Sequence, residues 1–119
     1  RAVSSVLRIS TGLDALTIGG VRHELSPHNG TVNLALSGKW NLAEQVPEVV
    51  RRLRELSAEL DQLRACGSIA DSCLDIGFES RLGKPEVAIQ VDAIPLDLLS
   101  KLSELRIRLV LSTYPGSER

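Results

Sequence analysis

Residues 46–66 read VPEVVRRLRELSAELDQLRAC, and how this stretch folds decides the rest. Val46, Val49, Leu53, Leu56, Leu60 and Leu63 recur at alternating steps of three and four. Arg51, Arg52, Arg54, Glu55, Glu59 and Asp61 fill the positions between them. That spacing predicts one long amphipathic helix with an apolar stripe and a charged back. Pro47 fits a first turn, where its missing N–H costs nothing, so the helix is expected to start near Val46. Asn41 and Glu44 have capping-box spacing, but a helix begun there would carry Pro47 inside it. Gly67 is the natural stop. The stripe spans under three heptads, so it is read as the core side of a single domain and not as a coiled-coil seam.

Outward from this helix the pattern changes to short alternating runs. Residues 3–10 form a first strand, with Val6 and Arg8 pointing opposite to Leu7 and Ile9. Residues 13–18 read either as a helical turn or as an irregular continuation of the strand, ended by Gly19-Gly20. Asn29-Gly30 is a hairpin signal. Residues 31–36 alternate, with Val32, Leu34 and Leu36 on one face, and residues 39–42 are expected to resume the strand with Trp40 and Leu42 inward. After the long helix, residues 72–79 and 86–92 read as a hairpin around a loop at 80–85. Leu74, Ile76, Phe78, Val87, Ile89 and Val91 then face inward. Pro95 opens a second helix burying Leu98, Leu99, Leu102 and Leu105. A last strand over 106–114 turns Ile107, Leu109 and Leu111 inward and Arg106, Arg108 and Val110 outward. The expected fold is a single α+β domain over 1–119. It is a two-layer arrangement of a mostly antiparallel sheet with one long and one shorter helix on one face, ferredoxin-like or related.

Composition narrows the function classes. The chain has 119 residues, 43% of them hydrophobic, and a formal net charge of -1, which suits one globular core and gives no basic footprint for nucleic acid or anionic membranes. No apolar run is long enough to span a bilayer. The chain opens on Arg1, so its start is expected to have been trimmed or processed. Aromatics are confined to Trp40, Phe78 and Tyr114, too few for a stacking platform. Cys66 and Cys73 are too few for a secreted disulfide framework, so they are read as free thiols and the expected location is the cytoplasm.

Several segments resemble a family of small bacterial α+β proteins grouped as a domain of unknown function. They are Val6-Leu7-Arg8-Ile9-Ser10, Trp40-Asn41-Leu42, Leu53-Arg54-Glu55-Leu56 running on to Leu60 and Leu63, and Ile94-Pro95-Leu96-Asp97-Leu98-Leu99 through to the strand ending at Tyr114. The resemblance implies an α+β domain without known catalytic residues. It also implies a class in which some members are immunity proteins that neutralise a toxin encoded beside them.

No constellation carries an obvious chemistry. His23 and His28 do not share a helical face, the spacing of His and Cys suggests no metal site, and Gly12, Gly19 and Gly20 lack the Lys-Ser/Thr of a phosphate loop. No cofactor is expected. The polar set of most interest is Asp75, Glu79, Glu86 and Asp92, placed by the hairpin reading on one sheet face with Arg106 and Arg108 on a neighbouring strand. These six residues are the candidate partner-binding surface, mostly acidic and suited to a basic protein. An exposed face offers no pocket to separate carboxylate pKa values, so the chain is read as a non-enzymatic protein-binding module. Its partner would be a toxin or a second copy of itself. The alternative is a small-molecule sensor or minor enzyme with a pocket between Trp40, residues 13–28 and the long helix.

Overall fold

The computed structural model describes residues 4–26, 30–82 and 89–115. In chain order the elements are β1 (Ser5–Ser10), β2 (Ala15–Ile18), β3 (Val21–Glu24), β4 (Thr31–Ser37), α1 (Leu42–Ala65), β5 (Asp71–Glu79), α2 (Leu96–Leu105) and β6 (Arg108–Tyr114). The fold is α+β, as the periodicities indicate.

The long helix begins four residues earlier than Pro47 alone suggests. Asn41 is its N-cap: the side-chain oxygen accepts from the N–H groups of Ala43 and Glu44 at 2.9 and 3.3 Å. Two of the orphan donors of the first turn are thereby satisfied, which offsets the backbone bond that Pro47 cannot make. Leu42 consequently starts the helix instead of ending a strand. At the other end Gly67 takes φ 78, and Ser68 and Gly67 donate back to the carbonyls of Leu63 and Arg64 in a Schellman closure. The stripe is buried as its spacing requires, with Val49 and Leu53 fully inaccessible and Leu56 and Leu60 nearly so.

Four strands form one sheet in the order β4-β1-β5-β6. β1 pairs antiparallel with both neighbours, and β5 pairs parallel with β6 from Cys73↔Arg108 to Glu79↔Tyr114. Leu7, Ile9, Val32, Leu74 and Ile76 share the face that meets α1 and α2 in one core. The parallel pair overturns the expected hairpin after β5. Both sides of β5 are occupied, by β1 and β6, so no slot remains for a returning strand. Residues 89–92 are not in a strand, and Ile89 and Val91 are 79% and 80% exposed where inward positions were expected. The rest of that hairpin, 83–88, lies outside the described residues.

The ambiguous run 13–18 is strand. β2 and β3 make a separate hairpin closed by Gly19 and Gly20, both at positive φ, which is the backbone that a two-residue primed turn demands. Leu16 and Ile18 carry this hairpin into the core, and the Gly19 N–H donates to Glu59 Oε1 at 2.7 Å on α1. The hairpin signal at Asn29-Gly30 falls between β3 and β4, which do not pair; Asn29 lies outside the described residues.

Within the apolar stripe sits one polar residue, Gln45, which is fully buried. Its Nε2 donates to the Gly77 carbonyl at 3.0 Å, and its Oε1 accepts from the buried Ser5 hydroxyl. Both polar ends are satisfied, so burial carries no unpaired penalty. The first turns of α1 are thus tied to β1 and β5 together.

Two substitutions test these details. Gln45→Ala leaves the Ser5 hydroxyl buried without its acceptor and is expected to cost about 2 kcal/mol in urea unfolding, against almost nothing for Ala at exposed Gln62. Arg106, which ends α2, sits at φ 56 with its side chain exposed. Arg106→Gly keeps the backbone bonds there and removes the Cβ strain, so it is expected to raise stability by about 1 kcal/mol.

Candidate functional site

Both helices pack on one face of the four-stranded sheet, and no described element covers the other. Strand alternation places Val6, Arg8, Asn33, Ala35, Cys73, Asp75, Arg108, Val110 and Ser112 on that outer side. Asn33, Ala35, Arg8, Arg108 and Val110 are exposed.

Two arginine–aspartate pairs cross this face. Arg8 Nη1 meets Asp75 Oδ2 at 2.8 Å across the β1–β5 ladder, and the Ser112 hydroxyl donates to the other Asp75 oxygen at 2.8 Å. Arg108 Nη2 meets Asp71 Oδ2 at 2.6 Å, with Nε to Oδ1 at 3.3 Å. The fork-to-carboxylate hydrogen bonds from Arg108 hold the Asp71 carboxyl below its usual range, and Asp71 in turn raises the Arg108 guanidinium. The expected acidic surface therefore carries two Arg–Asp pairs, with Glu79 a further carboxylate at the end of β5.

Of the six residues singled out by sequence, Asp75, Glu79 and Arg108 share the outer face. Glu79 ends β5 in register with Tyr114, and its N–H donates to the Trp40 carbonyl at 3.3 Å. Asp92 is elsewhere: it follows the 80–90 segment and pairs with Arg81 at 3.6 Å. Arg106 is not in β6, which starts at Arg108. It closes α2, and its carbonyl accepts from Arg64 at 3.1 Å and from Ser72 at 3.3 Å. Glu86 lies outside the described residues.

The feature that alternation alone misses is aromatic. Trp40, expected inward, lies against Tyr114 with ring centroids 5.2 Å apart and planes at 82°. Gly77 tells which side of the sheet they occupy. A Cβ built there, pointing to the same side as Cys73 and Asp75, would come within 2.8 Å of Tyr114 Cε2 and 3.4 Å of Trp40 Cζ3. The edge-to-face pair thus covers the end of β5 on the outer face, in a space that exists because residue 77 has no side chain. Tyr114 remains 43% exposed. The available signal was a Gly breaking the alternation of β5 in a chain with so few aromatics.

Among the described residues no three of His, Cys, Asp and Glu gather as a metal site. Cys66 and Cys73 are free thiols, the first exposed and the second half-buried. His23 is in β3, opposite Leu16; His28 lies outside the described residues. A cleft on α1 is lined by residues of its N-terminal half and of 93–97, and not by Trp40 or residues 13–28. No family model, curated protein or solved structure matches the chain.

The Asp71–Arg108 pair gives a pH test. A carboxyl whose pKa is lowered on folding adds stability above its unfolded pKa, and that contribution is lost as pH falls through the folded value. Arg108→Gln is expected to move the Asp71 carboxyl back up to the ordinary range in a side-chain NMR titration. It should also flatten the fall in stability on acidification.

Proposed function

We propose that this chain is a non-enzymatic protein-binding module that uses the uncovered sheet face, anchored by Trp40 and Tyr114. The observation that carries this reading is the placement of two of the chain's three aromatics outside the core, together, at the end of β6, the last strand of the sheet, whose outer face also carries exposed Val110. Aromatic anchors dominate protein interfaces because they bury a large area at small entropic cost, and a rim of paired charges then fixes orientation. Asp75, Glu79 and Arg108 belong to this surface, together with Arg8 and Asp71. Pairing of Asp71 and Asp75 with arginines weakens the reason to favour a basic partner.

β6 adds a second means of recognition. Among the described residues it pairs with β5 alone, it ends on Tyr114, and Leu111, on the helix side of the sheet, is half exposed. A partner strand could extend the sheet there through main-chain bonds while its side chains meet the aromatic pair. The family resemblance makes a toxin encoded beside the protein the first candidate partner, and a second copy of the chain the next. Two free thiols, one of them exposed, fit work in the reducing cytoplasm of a bacterium. No described helix is long and apolar enough to cross a membrane.

The test is affinity isolation from the source cells with the wild-type chain, followed by a titration of the protein it retains. Tyr114→Ala is expected to weaken that complex by about 2 kcal/mol, near thirtyfold, with the fold intact by circular dichroism. Val110→Asp should weaken it as well. Retention by both variants at wild-type affinity, or a partner lost only when the helix back is altered, would move the interface off this face.

A further inference from the structure

The side of the molecule away from the open sheet face carries a cleft of about 520 Å³. Ala43, Val46, Pro47 and Val50 form its wall on α1, and Ala93 and Pro95 form the opposite wall. These are aliphatic surfaces without a hydrogen-bonding side chain. From residue 43 to residue 50 the helix advances about 10 Å at ~1.5 Å per residue, so the apolar half of the cleft is elongated along the helix. The volume is that of a small-molecule site.

One end is cationic. Arg51 and Arg54 follow the apolar wall on the same side of α1 and also line the cleft. Arg54 makes no ion pair among the described residues. Arg51 reaches only Glu55, at 3.5 Å, and that carboxylate is held more closely by Arg52 at 2.8 Å. The hydrogen bond from Arg52 is the main reason the Glu55 carboxyl sits below its usual range. Arg51 thus shares Glu55 with Arg52 through a long contact to the other carboxylate oxygen, Arg54 has no such partner among the described residues, and both arginines line the cleft. The one acid lining the cleft, Asp97, is engaged at the first turn of α2, where its Oδ1 accepts the Leu98 N–H at 2.9 Å.

We propose that this cleft binds a small monocarboxylate with an unbranched aliphatic tail. The tail lies along Val46 and Val50 between α1 and Pro95, and the carboxylate meets Arg51 and Arg54. Guanidinium groups match a carboxylate in planar, paired hydrogen bonds, which a compact ammonium cannot reproduce. A small polar anion such as inorganic phosphate would leave the aliphatic walls unused, and a neutral apolar molecule would leave the arginines unused. Only an amphiphilic anion uses both halves. The site is independent of the sheet-face reading, since none of its lining residues lies on that face.

The experiment titrates the full chain with octanoate, butyrate and octylammonium while backbone amide resonances are followed by NMR. Octanoate is expected to shift amides of 43–54 and 93–97 saturably. Butyrate should bind more weakly, by about fourfold for each methylene that the cleft no longer buries. Octylammonium, with the same tail and the opposite charge, should leave those amides in place. The double variant Arg51→Gln/Arg54→Gln should lose at least about tenfold in octanoate affinity at an unchanged unfolding midpoint. The proposal is overturned if octanoate leaves these amides unmoved, if octanoate and octylammonium bind alike, or if an acidic peptide occupies the cleft where octanoate does not. The contrast between the two eight-carbon ligands is read on the wild-type chain, so it decides the matter even if the double variant folds poorly.

Discussion

The buried amide of Gln45 is the contact on which the layer arrangement turns. A purely apolar stripe can slide along a sheet at small cost, because hydrophobic contact has no direction. Gln45 removes that freedom. It receives a hydrogen bond from Ser5 on β1 and gives one at 3.0 Å to Gly77 on β5, so both strands are indexed against one turn of α1. A shift of α1 by one residue would leave an amide and a hydroxyl buried and unpaired, each at about 1–3 kcal/mol. The neighbouring bonds extend the same node. Ser4 holds Gly77 through its carbonyl at 2.7 Å and Ser37 through its N–H at 2.9 Å, and the Ser37 hydroxyl reaches Glu48 on α1 at 2.7 Å. Three strands and the start of the long helix are fixed together at one end of the sheet.

That end is also where the outer face becomes distinctive. Gly77 faces two ways chemically: its carbonyl accepts from Gln45, while the absent side chain makes room for Tyr114 and Trp40 on the far side. The aromatic pair is therefore seated on the best-braced part of the sheet, and the helices, committed to the opposite face, leave it uncovered. A rigid, partly exposed aromatic platform loses little conformational entropy on binding, which is the economy that interface anchors exploit.

The sequence makes the helical stripe, the α+β class and the inward faces of β1, β4 and β5 legible, because each rests on a period of 3.6 or 2 over enough residues. It misleads where one local rule competes with another. Pro47 argues for a late helix start, yet the side chain of Asn41 caps two N–H groups and pulls the start back to Leu42. Residues 86–92 have the alternation of a strand, yet β5 already has partners on both sides, and sheet vacancy is a tertiary fact that no local pattern encodes. Gly19-Gly20 reads only as a stop, although two consecutive positive φ angles are what a tight hairpin needs. In the candidate site, Asp75, Glu79 and Arg108 are found by alternation alone. Asp92 and Arg106 are misplaced because residues 89–92 are not in a strand and β6 begins only at Arg108. Trp40 is assigned inward by carrying the alternation of β4 on through residues 39–42. Only the missing side chain at residue 77, thirty-seven positions away in sequence, gives it a seat outside.

The pairing of charges on the outer face has a consequence for how a partner would be chosen. Arg8 with Asp75 and Arg108 with Asp71 present no net field, and each pair is partly exposed, so long-range steering is weak and further screened by salt. Selectivity must then come at contact. The diagonal order of the two pairs across β1, β5 and β6 is a fixed pattern of donors and acceptors. A partner that lacks its complement would strand one of these charges as the interface closes, and that penalty exceeds what the exposed pair is worth by itself. The aromatic end of the sheet would supply affinity and the ion-paired end discrimination, a division of labour set by where Gly77 opens the surface and where Asp71 and Asp75 occupy it.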